Sequence, residues 1–366
     1  MRIAVIATTR NPLCQPFAGG QEAQTAALLR GLRQEGHTVR LYARDGTEPA
    51  LCDELAAYPV PPVLSRISEL DLHLPEPDFL RDETAMAWAM SDLARRPVDV
   101  VHNQSLHHLP LAMSVALPSP MVTTLHCPPF PWMEVGVALA GPAVRYVAVS
   151  MSSAAQWSML PTRPRVVLNG IDPSAFPFGA GGDGLVWVGR ITPEKGTDLA
   201  IRAAREAGLP LRVVGPVSDR RYFEHHVQPL LGGDIEHLGH LTNQETAEVV
   251  GSSAVSLVTP RWEEPFGLVA AEAMMCGTPV VALRRGGLPE VVSRQSGVLV
   301  PDLGRAEASL ADDLAEAVPR AAALDRRAVR AHAEEQLGHD RMVREYLEVF
   351  AELLDGLASV STIRVG

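Results

Sequence analysis

LVWVGRITPEKGTDLAIRAAREAGLPLRVVG, Leu185 to Gly215, holds one complete unit of an alternating architecture. LVWVG is a short apolar run ended by Gly189, which reads as a buried strand. TDLAIRAAREAG (Thr197–Gly208) reads as a helix, and LRVVG (Leu211–Gly215) as the next strand. A helix between two short apolar strands implies a parallel pair with a crossover. The same rhythm extends both ways. Upstream, RIAVIA (Arg2–Ala7) is a strand and GQEAQTAALLRGLRQEGH (Gly20–His37) a helix, with Gly36 a plausible stop. TVRLYAR (Thr38–Arg44), DVVH near Val100, MVTTL (Met121–Leu125), RYVAVS (Arg145–Ser150) and RVVLN (Arg165–Asn169) continue the strand series. Downstream, AVSLVTP, PVVAL and GVLVP are further strands. Between the halves, NGIDPSAFPFGAGGDG reads as a linker, with a hinge near 169–183. The expected fold is therefore α/β, two doubly wound Rossmann-like domains facing across a cleft. They divide at 1–170 and 171–344, and a helical tail at about 345–366 follows once the second sheet is complete.

Bulk properties agree with this division. The chain has 366 residues, more than the ~250–300 at which one core usually splits. A 46 % hydrophobic and 20 % charged composition suits a globular enzyme. The net charge of −11 argues against nucleic acid or an anionic membrane as main partner. MRIAVIATTR meets Thr8 and Thr9 too early for a signal peptide, and no apolar stretch of ~18 residues spans a membrane. Cys14, Cys52, Cys127 and Cys276 are scattered, so reduced thiols in a cytoplasm are expected.

The chemistry-bearing residues fall at the carboxyl ends of strands, where such sheets bind ligands. His126 follows MVTTL, and Asn169 follows RVVL. Arg190 and Lys195 sit in VGRITPEKGTD, a loop leading into a helix start. Unpaired amides, the helix dipole and two cations there suit a diphosphate, although a solvated loop is an equally good reading of that stretch alone. Gly19 and Gly20 in FAGGQEAQ let backbone approach a phosphate at a second helix start, although such pairs are usually turns. In WEEPFGLVAAEAMMCGTPVV (Trp262–Val281), Glu264 is expected in a loop and Glu272 on the helix that follows, running from about Phe266 to Met275. The amides of Phe266, Gly267 and Leu268 are then free helix-start donors. Glu272 suits the two hydroxyls of a ribose. The plainer account is one helix-start acid and one surface acid.

GRITPEKG, EPFGLVAAEAMMCGTPVVA, GGLPEVV and VVLNGID together resemble the retaining glycosyltransferases of family 4, which have the GT-B fold. The resemblance covers nearly the whole chain in order and is most specific in its second half. It implies that Glu264 contacts the donor sugar, Glu272 the ribose, and Arg190 and Lys195 the diphosphate. It places Gly19 and Gly20 near the distal phosphate and His126 beside the transferred sugar. It also implies that the final helix, Asp340–Leu357, crosses back onto the first domain. Cys127, followed by Pro128 and Pro129, departs from the aspartate or glycine often found after the histidine, which bears on the sugar pocket. No DxD metal motif is present: Asp71-Leu72-His73 and Asp312-Asp313 do not fit one.

The expected activity is metal-independent retaining transfer of a sugar from a nucleotide-diphosphate donor, UDP favoured over GDP. The acceptor is expected to be a small soluble molecule, a natural product or saccharide. No cofactor is expected beyond the donor substrate, and no nucleic-acid partner. A sugar-nucleotide epimerase of the same fold and a non-catalytic sugar-nucleotide-binding protein are the alternatives. A dinucleotide dehydrogenase lacks its glycine fingerprint here. The acidic segment Glu69–Glu83 is expected to favour a neutral or cationic acceptor.

Overall fold

The structure is a computed structural model and describes residues 1–302, 304 and 306–363. Among the described residues thirteen strands form two sheets, all parallel. The first holds β1 (Arg2–Ile6), β2 (Thr38–Ala43), β3 (Glu54–Ala57), β4 (Val100–Asn103), β5 (Met121–Leu125), β6 (Val144–Ala148) and β7 (Arg165–Val166), in the order β3-β2-β1-β4-β5-β6-β7. The second holds β8 (Leu185–Val188), β9 (Leu211–Val214), β10 (Ile235–His237), β11 (Val255–Val258), β12 (Val280–Leu283) and β13 (Gly297–Val300), in the order β10-β9-β8-β11-β12-β13. Their central strands are buried on both faces, which is why they read as unbroken apolar runs. The order reverses between β1 and β4 and again between β8 and β11. Crevices open at those points, outside the carboxyl ends of the strands.

Several elements differ from the sequence reading. RVVLN is a strand for two residues only, because Val167 leaves the sheet after one backbone bond to Ala148. β3, β10 and the helix Pro77–Arg95 were not foreseen; β3 and β10 are short edge strands with mixed burial and little pattern. The stretch 169–184 is also less free than a linker. Gly179 and Gly181 donate their amides to Cys276 and Gly251 carbonyls. Arg330 binds the Phe176 and Pro173 carbonyls, and Arg326 the Gly179 carbonyl. Most of it is therefore fastened to the second domain. The two crossings lie side by side at the bridge between Ile171 and Gly338.

The final helix runs His339–Ile363 and does cross back. Met342, Val343, Tyr346, Val349, Phe350 and Leu353 are buried in the core of the first sheet with Leu28, Leu29 and Leu32.

Candidate active site

A cleft of about 760 Å³ lies between the facing sheet edges. All the residues singled out from the sequence line it: Gly19, Gly20, His126, Arg190, Lys195, Glu264, Phe266, Gly267, Leu268 and Glu272. Chain reversal supplies the reason. The loops after β1, β5, β8 and β11 all end on this side.

Lys195 closes a single tight turn, Pro193–Lys195. Gly196 then takes a left-handed φ of 68° and opens the helix Thr197–Glu206. A Cβ on Gly196 would meet the Thr259 carbonyl at 2.2 Å, so the loop after β8 packs directly on the end of β11. Arg261 welds the two together. Its guanidinium forms a bidentate pair with Asp198 at 2.8 and 2.9 Å and also binds the Pro193 carbonyl. Burial works against the Asp198 charge, but Arg261 and the Tyr222 hydroxyl hold its pKa below the usual carboxylate range. This brace carried no signal in the sequence, since Asp198 and Arg261 lie 63 positions apart.

The weld brings Lys195 Nζ to 2.7 Å from Glu264 Oε2. The Trp262 indole N–H donates to the same oxygen at 2.9 Å, and the ammonium stands 5.0 Å from the Trp262 ring centre. The sequence reading gave Lys195 and Glu264 separate partners; the structure pairs them. Arg190 is freer, with Glu194 at 3.9 Å.

The helix after EPFG begins at Leu268, two residues later than expected, because Gly267 adopts φ 97° and serves as its cap. Gly267, Leu268 and Val269 line the cleft, at a helix start whose first amides have no intrahelical acceptor. The loop before it is held from outside. Gly286 and Gly287 donate their amides to the Glu263 carboxylate and the Glu264 carbonyl, each at 2.7 Å. Glu272 sits one turn into the helix, and burial pushes its carboxyl up to about 7.

His126 stands on the opposite wall. Burial lowers its pKa to about 4, so the ring is neutral. Its Nε2 is in short contact with Gln104 Oε1; an amide oxygen only accepts, so that nitrogen carries the hydrogen. Gln104 also meets His102, whose Nε2 lies 2.9 Å from Thr124 Oγ1, and Thr124 meets the Tyr346 hydroxyl at 3.1 Å. The crossing helix thus reaches the cleft wall through side chains that sequence reasoning missed.

The domains also touch beside the cleft. The Ser150 hydroxyl donates to the Pro265 carbonyl, and the Glu290 carboxylate accepts the amides of Met151 and Ser152. A Cβ on Gly20 would meet the tip of the Leu268 side chain at 2.7 Å, so the two domains approach closely there. Among the described residues, one group has metal-ligand character: Glu83, His107 and His108, whose ligand atoms lie within 4.8 Å of one another. It too lines the cleft and had no visible motif.

Residues 18–175 match the model of Glycosyltransferase Family 4, and residues 179–331 that of Glycosyl transferases group 1. A D-inositol 3-phosphate glycosyltransferase of Mycobacteroides abscessus is 37 % identical over 161 residues, 38 % of this chain and 36 % of that protein. A glycogen synthase of Mycobacterium tuberculosis is 35 % identical over 183 residues, 44 % and 43 % respectively. The matched region spans less than half the length of either curated relative. Solved structures of like fold include a sucrose-phosphate synthase of Thermosynechococcus elongatus, with TM-score 0.75, 20 % identity and coverage of 97 % and 99 %. Anabaena HepE in complex with UDP-glucose has TM-score 0.73, 18 % identity and coverage of 96 % and 100 %. AviGT4, a glycosyltransferase involved in avilamycin A biosynthesis, has TM-score 0.69, 22 % identity and coverage of 97 % and 98 %. With matches running from 18 to 331 across both sheets, the chain belongs to the glycosyltransferases of the GT-B type, a Family 4 domain followed by a group 1 domain.

Proposed function

We propose that the protein is a retaining, metal-independent glycosyltransferase using a nucleotide-diphosphate sugar, UDP favoured, and a small soluble acceptor, acting in the cytoplasm. The observation that carries this reading is the cluster of Lys195, Glu264 and Trp262 beside the Leu268 helix start, facing a neutral His126 across the cleft. Among the described residues no helix is long and apolar enough to cross a membrane.

In this reading the diphosphate lies between Lys195, Arg190 and the amides of the helix start. These groups are already oriented toward the negative charge that grows as the bond to the anomeric carbon breaks. The electron pair of that bond leaves with the diphosphate. The acceptor oxygen bonds to the anomeric carbon on the same face, and its proton passes to a phosphate oxygen of the leaving group. His126, with a pKa of about 4, is a poor base at neutral pH and orients the sugar through hydrogen bonds instead. Glu264 turns from Lys195 toward the sugar hydroxyls when the diphosphate takes the ammonium. Glu272 receives the ribose diol.

The test is incubation with labelled UDP-glucose, UDP-N-acetylglucosamine and GDP-mannose in excess EDTA, with and without cell extract. Transfer or slow hydrolysis with retained configuration is expected. Epimer formation, tight binding with no turnover, or loss of turnover in EDTA restored by Mg²⁺ would each contradict the proposal.

A further inference from the structure

Gln104 comes directly after β4 and is 0 % exposed, yet it bears on the cleft through a neighbour. Its backbone is tied down on several sides. The amide donates to the Ile6 carbonyl at 2.9 Å, and the carbonyl accepts the side-chain amide of Gln21, which lines the cleft. Asn103 Oδ1 fixes the next residue by accepting the Ser105 amide at 3.1 Å and hydroxyl at 2.7 Å. The Gln104 side chain is thereby delivered between two imidazoles. Its Oε1 meets His126 Nε2, and its Nε2 stands 2.9 Å from His102 Nε2.

That one amide assigns the hydrogens on both rings, because its oxygen only accepts and its nitrogen only donates. His126 carries a hydrogen on Nε2, and His102 leaves its own Nε2 bare. The Thr124 hydroxyl, 2.9 Å from that bare nitrogen, donates to it as well and accepts from Tyr346 at 3.1 Å. Burial lowers the pKa of His102 to about 3 and of His126 to about 4, so each neutral ring has a single hydrogen. His126 Nδ1 is therefore bare. It has no partner among the described residues and is not sealed from solvent, on a residue that lines the cleft.

We propose that Gln104 is a positioning residue for sugar transfer: it keeps the hydrogen of His126 on the inner nitrogen, so that the outer one accepts a hydroxyl of the donor sugar. The inference rests on the glycosyltransferase reading of the cleft and gives the His126 contact a direction. A bare Nδ1 rewards a free hydroxyl and repels an ether or carbonyl oxygen. Without the Gln104 oxygen, a hydrogen on Nε2 would be buried with no acceptor, which is costly. Moving it to Nδ1, where water in the cleft accepts it, removes that cost. The ring then offers a donor where the sugar needs an acceptor. The amide turned the other way round would produce the same misplacement, with His126 Nε2 bare and Nδ1 carrying the hydrogen.

Two-bond ¹H–¹⁵N spectra of the ligand-free protein with labelled histidine read which ring nitrogen carries the hydrogen, and His126→Asn identifies the signal. The native ring should be the Nε2–H form at pH 7. In Gln104→Leu it should change to Nδ1–H. Gln104→Glu keeps an oxygen at the same place and should retain the hydrogen on Nε2. The second readout is kcat/KM for hydrolysis of UDP-glucose and its monodeoxy analogues. One analogue should lose about fivefold in the native protein, as one neutral hydrogen bond gives. In Gln104→Leu that penalty should vanish while UDP affinity is unchanged. A fold that was merely loosened would slow every donor alike and leave the ratio standing. A native ring in the Nδ1–H form, an Nε2–H form that survives in Gln104→Leu, no deoxy penalty in the native protein, or a penalty that persists in the variant would each overturn the proposal. Absence of UDP affinity and of hydrolysis in the native protein sinks the glycosyltransferase reading instead. The ring spectra, taken without ligand, decide by themselves whether Gln104 sets the tautomer.

Discussion

An ammonium and a carboxylate 2.7 Å apart, beside an indole, decide how this cleft meets an anion. Under the proposed function a diphosphate must take the ammonium of Lys195 from Glu264, and once that exchange is made the cation faces the charge that develops. Lys195→Ala should lower kcat by roughly 10²–10³, as removal of one preoriented electrostatic donor does elsewhere. Arg190→Ala, at a more exposed and loosely paired position, should cost less. Single-turnover rates with a labelled donor measure both, and near-normal turnover in the two variants would remove them from the diphosphate site. Glu272 makes a pH prediction. Its carboxyl titrates near 7 in the folded protein and near its ordinary 4.5 when unfolded. The folded state therefore holds the proton over that range. The resulting stability is fully present below about 4.5 and is lost as pH rises through 7. Glu272→Gln should gain in Tm relative to the native protein between pH 5 and pH 8. A ribose diol donates to the ionised carboxylate, so native affinity for UDP-glucose should rise from pH 6 to 8 while the variant's stays flat. Calorimetry at several pH values checks this, and parallel profiles would take Glu272 out of the nucleotide site.

The short elements around Glu264 are set by glycines. Gly267 caps the helix Leu268–Met275 at φ 97°, and Gly286 sits at φ 57° behind Glu264. A Cβ on Gly286 would lie 2.1 Å from the Glu264 carbonyl. Gly286→Ala should therefore cost more than the ~1–2 kcal/mol of left-handed backbone strain, and should push the Glu264 loop into the cleft. A lower Tm together with a loss of UDP affinity is expected; a Tm change with unaltered affinity would mean the loop does not position the donor site. The EPFGLVAAE stretch was readable to within two residues because Pro265, Gly267 and an apolar run bracket a helix start. The stacked His107 and His108 were not readable, because their partners Glu83 and Trp132 lie on separate helices.

Over the whole molecule, two chain crossings run side by side, near Ile171 and Gly338. Because 173–184 is fastened to the second domain, relative motion is expected at 168–172 and 338 instead of along the glycine-rich stretch. Closing a cleft around an activated sugar excludes water. Small-angle scattering should show a smaller radius of gyration with saturating UDP-glucose. Glu290→Ala removes the carboxylate that receives two amides across the domains, and should enlarge the ligand-free radius. An unchanged radius in both experiments would argue for a cleft that does not move.

Most of the alternation of strands and helices in both halves, and the loops after β5, β8 and β11 that line the cleft, were legible in local pattern. Buried parallel strands must be apolar throughout, and left-handed turns demand glycine, so both leave marks within a few residues of sequence. The Lys195–Glu264 pair, the Asp198–Arg261 brace, the neutral His126 and the cluster of Glu83, His107 and His108 left none. Each depends on which strand ends meet, on how far water is excluded, and on contacts between residues tens to hundreds of positions apart. Those were decided only when the two sheets folded and the last helix came back across the first.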